Sequence, residues 1–157
     1  DLWSKYEPED KAIMIVYGSM YGHTETAATK LAVMLADKGV RNIEMFDVSV
    51  THVSYLVSES FRCSHIVLVA PTYNGGLYPP METYLLDLQA HFFQGHTFAV
   101  VENGSWAPMS GNIIQKIFAE MKPNAILGNT LSIKSSLKED QLQDLQNLAD
   151  DLAENVK

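Results

Sequence analysis

The sequence predicts an α/β fold: a doubly wound, five-stranded parallel sheet with strand order 2-1-3-4-5, in three layers with helices on both faces. Five apolar, β-rich runs alternate with helical patterns along the chain, which is the signature of βαβ units feeding a parallel sheet. The first run, Ala12-Ile13-Met14-Ile15-Val16-Tyr17, is apolar at consecutive rather than alternate positions, so it reads as a strand buried on both faces. Right-handed crossovers leave few orders for five such units, and 2-1-3-4-5 is the familiar one for 157 residues.

Residues 1–10 are polar and without periodicity apart from Leu2, Trp3 and Tyr6, and read as a linker ahead of one domain over 11–157. A start on a linker rather than on Met suits a piece of a longer polypeptide. Strands are expected at 12–17, 43–47, 65–70, 97–102 and 125–133, each apolar and bounded by turn residues. Helices are expected at 24–38, 52–61, 80–92, 109–121 and 138–155. The first repeats apolar residues at helical spacing through Ala27, Ala28, Leu31 and Leu35; the last does so through Leu142, Leu145, Leu148, Leu152 and Val156. Gly39, Gly95, Pro123-Asn124 and Gly128 supply the stops between elements.

A 46% hydrophobic content is enough to bury one full core. The net charge of -8 argues against a nucleic-acid partner, which needs clustered Lys and Arg, and suits basic protein partners instead. No apolar run approaches the ~20 residues of a membrane span, and no secretory leader is visible, so no membrane association and a cytoplasmic location are expected. Cys63 has no second cysteine to pair with and is read as a buried structural thiol.

Between strand 1 and the first helix lies Ser19-Met20-Tyr21-Gly22-His23-Thr24. A helix N-terminus presents unpaired N–H groups and partial positive charge, so this loop is a candidate phosphate cradle, with Ser19 and Thr24 as extra donors. The competing reading is a plain strand-to-helix turn with Thr24 as N-cap. After strand 3 comes Pro71-Thr72-Tyr73-Asn74-Gly75-Gly76-Leu77-Tyr78-Pro79-Pro80, and after strand 4 comes Glu102-Asn103-Gly104-Ser105-Trp106-Ala107-Pro108. The predicted topology brings all three loops to one rim, where Tyr73, Tyr78 and Trp106 favour a flat aromatic ligand beside the phosphate.

With these motifs the chain resembles a flavodoxin, a carrier of flavin mononucleotide (FMN), over about residues 11–157. The phosphate loop and the Glu102 to Pro108 loop are similar, more narrowly, to the C-terminal flavodoxin domain of flavodiiron proteins, and the Trp3 and Tyr6 linker is similar to the segment joining their domains. The resemblance implies that Ser19, Met20, Tyr21, Gly22, His23 and Thr24 wrap the phosphate. Pro71, Thr72, Tyr73, Asn74, Gly75 and Gly76 would lie on the pyrimidine and N5 side of the ring, and Asn103, Gly104, Ser105 and Trp106 on the other.

It also implies electron transfer from a rubredoxin or flavin reductase to a diiron domain that reduces oxygen or nitric oxide, with a homo-oligomer of the full-length protein possible. No catalytic residue and no metal are expected in this chain, whose histidines, His23, His52, His65, His91 and His96, lack ligand spacing. A free-standing flavodoxin and an FMN-dependent quinone reductase are the alternatives. A receiver domain is disfavoured by Gly18-Ser19 and Pro71-Thr72, where it would need acidic residues.

Overall fold

Residues 10–18, 23–73, 76–103, 110–121, 124–127, 131–133 and 139–156 are described by a computed structural model. In chain order the elements are β1 (Asp10–Tyr17), α1 (His23–Asp37), β2 (Ile43–Asp47), α2 (Val53–Arg62), β3 (Cys63–Tyr73), β4 (Gly76–Leu77), α3 (Pro79–Ala90), β5 (Thr97–Asn103), α4 (Ser110–Glu120), β6 (Ala125–Ile126), β7 (Leu131–Ile133) and α5 (Glu139–Val156). The sheet runs β2-β1-β3-β5, and β6 and β7 both pair in parallel with β5. This is the predicted 2-1-3-4-5 order, with the fifth place divided.

The consecutive apolar residues of the central strands are explained by two cores. Met14 and Val16 of β1, Ile66 and Leu68 of β3, and Phe98 and Val100 of β5 face α2, α3 and α4. Their neighbours Ile13, Ile15, Val67, Val69, Ala99 and Val101 face α1 and α5. A strand between two helical layers has no solvent side, so the period-2 polar signal disappears. Cys63 is fully buried, as expected of a structural thiol.

Three local differences from the sequence expectation have physical causes. The fifth strand is not continuous over 125–133: β6 pairs with the start of β5 (Thr97 with Ala125) and β7 with its end (Val101 with Leu131). Leu127 belongs to neither piece, and the register on β5 shifts between the two, so no single regular ladder spans both. The loop after strand 3 is partly strand, because Thr72 and Tyr73 pair antiparallel with Leu77 and Gly76. The intervening Asn74-Gly75 lie outside the described residues. Finally, α3 begins at Pro79, with proline in its first turn, and ends at Ala90. Phe92, at φ +58°, and Phe93 then close it with N–H bonds back to Gln89 and Leu88.

Candidate functional site at the carboxyl rim of the sheet

Register fixes which residues meet at the carboxyl ends of the strands. Tyr17 is level with Asp47 of β2 and Val69 of β3; Pro71 is level with Asn103 of β5, and Asn103 with Ile133 of β7. The segments leaving β1, β3 and β5 therefore start from one edge, as the sequence requires of the three loops. The connection from β7 to α5 starts there too, a fourth rim segment that the sequence reading did not include.

The start of the first loop is held by its neighbours. Gly18 donates its N–H to the Val69 carbonyl at 3.1 Å, and Val48 donates to the Tyr17 carbonyl at 2.8 Å. Gly18 is also packed too tightly for any side chain: a Cβ there would lie 2.7 Å from Tyr78 Cδ2 and 2.9 Å from Pro71 Cδ. The chain leaving β1 thus passes directly over the loop that leaves β3. Pro71 is buried, while Tyr78 is half-buried against the core on the α2, α3 and α4 side.

Among the expected site residues, His23 opens α1 and Thr24 is the second residue of its first turn, with its side chain 2% exposed. The helix N-terminus therefore points its first N–H groups to the rim. Pro71, Thr72 and Tyr73 complete β3, Gly76 opens β4, and Asn103 ends β5. Ser19, Met20, Tyr21, Gly22, Asn74, Gly75, Gly104, Ser105 and Trp106 lie outside the described residues. Gly18, the contact point between two loops, was missed because its signal is spatial. In sequence it is one more glycine after a strand.

The described rim is electronegative. The Tyr17 phenol is held above its ordinary pKa by burial first, then by the carboxylates of Glu25 and Asp47. Glu25 lies in the first turn of α1, where the helix dipole favours it. One residue before Asn103, Glu102 is 8% exposed and level with Ala70 and Ser132.

Among the described residues no group of His, Cys, Asp and Glu could hold a metal ion. The described histidine side chains have structural roles. His52 Nδ1 accepts from the Ser54 N–H and caps α2. His65 bonds to Ser64 and Asn155, and His91 Nδ1 donates to the Asp87 carbonyl. His96 Nδ1 donates to the Cys63 carbonyl, its ring stacked on Phe93 with centroids 4.1 Å apart.

Residues 15–149 match the flavodoxin family. The chain belongs to that family. Flavodoxin-type domains transfer electrons, and membership implies FMN as cofactor. The rim fits that group: the glycine-bounded β1 loop runs into a helix N-terminus, and the close approach at Gly18 brings the first and second loops together. The fold is similar to rubredoxin oxygen:oxidoreductase of the anaerobe Desulfovibrio gigas, at TM-score 0.88 and 19% identity, covering 98% of this flavodoxin-family chain and 38% of that one. It is similar to a flavo di-iron protein of Thermotoga maritima, at TM-score 0.82 and 20% identity, covering 99% and 38%. A flavodoxin from the Archaea aligns at TM-score 0.78 and 22% identity over 92% of this chain and 98% of that one. An uncharacterized protein of Methanocaldococcus jannaschii is 24% identical over 141 residues, 90% of this chain and 35% of the relative. The chain thus spans little more than a third of its longer relatives and nearly all of the archaeal flavodoxin. No helix among the described residues is long and apolar enough to cross a membrane.

Proposed function

We propose that this chain is the FMN-carrying electron-transfer domain of a flavodiiron-type oxygen or nitric oxide reductase. Electrons would enter from a rubredoxin or flavin reductase and leave to a diiron domain. The observation that carries the reading is the convergence of the β1, β3 and β5 loops on one rim, with α1 opening onto it. FMN, when bound, supplies one-electron and two-electron redox chemistry, and the protein supplies position and electrostatics.

In this reading the backbone N–H groups of Ser19 to Thr24 and the first turn of α1 hold the phosphate. Pro71 to Gly76 flank one side of the ring system and Asn103 to Trp106 the other. Gly18 keeps the phosphate loop seated on Pro71 and Tyr78, so the cradle and the ring site keep a fixed separation. The chain contributes no catalytic residue of its own; the metal chemistry belongs to the partner domain.

Coverage of 98% of a free-standing flavodoxin favours the second reading, an independent carrier. Stopped-flow reduction separates these and the quinone-reductase alternative. Pre-reduced rubredoxin should reduce the FMN-loaded chain, and the chain should then reduce a separately supplied diiron domain. Fast NAD(P)H-dependent quinone turnover by the chain alone, without transfer to that domain, would overturn the proposal.

A further inference from the structure

Among the described residues β2 pairs with β1 alone, so the sheet has an open edge there. All five residues of β2 are half-buried, whereas β1 and β3 are closed on both faces. Natural edge strands are ordinarily blunted by lysine, proline or a bulge. The strand Ile43-Glu44-Met45-Phe46-Asp47 carries no lysine or proline, and its register on β1 is unbroken. Three of the six large hydrophobic side chains exposed among the described residues stand on the elements around it: Val33 of α1 at 55%, Val50 of the turn after β2 at 81% and Tyr55 of α2 at 51%.

Backbone hydrogen bonds fix which groups of β2 face outward. The Ile13 N–H donates to the Asn42 carbonyl at 2.9 Å, and the Val48 N–H donates to the Tyr17 carbonyl at 2.8 Å. On the two-residue repeat of a strand, positions 42, 44, 46 and 48 therefore turn their N–H and C=O groups to β1, and Ile43 and Met45 turn theirs away from the sheet. The Asp47 carbonyl is taken by the following turn, where the Thr51 N–H donates to it at 3.0 Å. The outward backbone thus offers one short, defined ladder centred on Glu44.

That ladder matches itself. A closed dimer that continues the sheet from β2 to β2 has its twofold axis through the sheet, which sets the two strands antiparallel. With the axis at Glu44, Ile43 of one copy faces Met45 of the other, and the exposed Arg41 faces Asp47. An axis at Met45 would set Ile43 against the Asp47 carboxylate, and an axis at Ile43 would set Met45 against Arg41. Only the Glu44 register puts apolar against apolar and cation against anion. Ile43 and Met45 both lie on the α1 side of the sheet, so their side chains would meet on one face, where α1 of each copy brings its exposed Val33. On the other face Glu44 would meet its own copy, a like-charge contact offset by Arg62, which is bonded to Glu44 in each chain. We propose that a second copy of this chain docks on the β2 edge, its β2 antiparallel in the register centred on Glu44, with Ile43–Met45 backbone pairs and Arg41–Asp47 ion pairs repeated across the axis.

Sedimentation equilibrium of the whole chain should pass from monomer to dimer between roughly 10 μM and 1 mM, the range suited to an interface built on one short strand. Hydrogen exchange resolved by residue should alternate along β2. The Glu44 and Phe46 amides, bonded to β1, should be protected at every concentration, and those of Ile43 and Met45 should gain about tenfold protection only as the dimer forms. Arg41→Asp, at an exposed position, turns both ion pairs into repulsions and should weaken association by about tenfold. Ile43→Pro should abolish association, because it removes an N–H directed at the second copy and none from the β1 ladder; Glu44 and Phe46 protection then reports the monomer as intact. The proposal is overturned by a monomer throughout that range, by protection of Ile43 and Met45 that is independent of concentration and so arises within one chain, or by a dimer indifferent to Arg41→Asp.

Discussion

Replacing Gly18 by alanine tests the junction on which the rim is built. The new Cβ would sit 2.7 Å from Tyr78 Cδ2 and 2.9 Å from Pro71 Cδ, where ordinary carbon contacts begin near 3.5 Å. Relief of both contacts needs displacements of roughly 0.8 Å from Tyr78 and roughly 0.6 Å from Pro71. Pro71 is buried in β3 and aligned with Asn103 of β5, so the strain falls on the half-buried Tyr78 ring. The two prolines that follow Tyr78 fix their own φ and restrict how it can yield. Overpacking of this kind costs about 1–3 kcal/mol, or a melting temperature lower by about 2–4 °C per kcal/mol. Because the ring moves at the rim, FMN affinity should fall by about tenfold or more as well, the equivalent of ~1.4 kcal/mol. Urea denaturation of the apoprotein and fluorescence titration with FMN measure the two effects separately. Tyr78→Leu in the Gly18→Ala background should recover part of the stability, since the two changes share one contact. An unchanged urea midpoint together with unchanged affinity would refute the reasoning.

Gly39 provides the contrast, because nothing lies within 4 Å of a Cβ there but its φ is +91°. It closes α1 with N–H bonds from Gly39 and Val40 back to Ala36 and Leu35, so Gly39→Ala should cost about 1 kcal/mol in urea unfolding and leave FMN affinity untouched. His96 makes stability depend on pH. Its Nε2 is buried with no hydrogen-bond partner among the described residues, and burial lowers its pKa from 6.5 to about 4. Between those values the unfolded chain holds a proton that the folded chain excludes. The His96 contribution is therefore complete above pH 6.5 and is lost as pH falls toward 4, by about 2 kcal/mol between roughly pH 7.5 and pH 5. A His96→Gln chain should lose that slope in parallel urea titrations. In the core, Ser60 donates to the Leu56 carbonyl and so accepts from the buried Tyr84 hydroxyl. Tyr84→Phe leaves Ser60 satisfied and should cost about 1 kcal/mol, whereas Ser60→Ala strands the hydroxyl and should cost about 2–3 kcal/mol by the same measurement.

What could be read from the sequence follows from which interactions are local. Val16, Leu68 and Val100 belong to apolar runs whose consecutive burial is set by helices on both faces, so strand type and order were legible. Helix bounds fell within two residues, since prolines, Gly39 and the apolar spacing act over a single turn. The division of the fifth strand was not legible, because Ala125 and Leu131 are placed by opposite ends of β5, a distant segment. The β3–β4 pairing was hidden within a loop read as a whole. Gly18 could not be recognised without Tyr78 and Pro71 beside it. The rim positions of Thr24, Pro71 and Asn103 could be expected because strand ends of a doubly wound sheet are identifiable once the order is known.

The central claim is that the rim holds FMN by its phosphate through the loop from Ser19 to Thr24. Calorimetric titration of the apoprotein with FMN and, in parallel, with riboflavin measures it most directly. One molecule of FMN should bind per chain, at least about 100-fold more tightly than riboflavin, the difference expected when several N–H groups hold a charged phosphate. Equal affinity for the two, or binding of neither, would contradict the account.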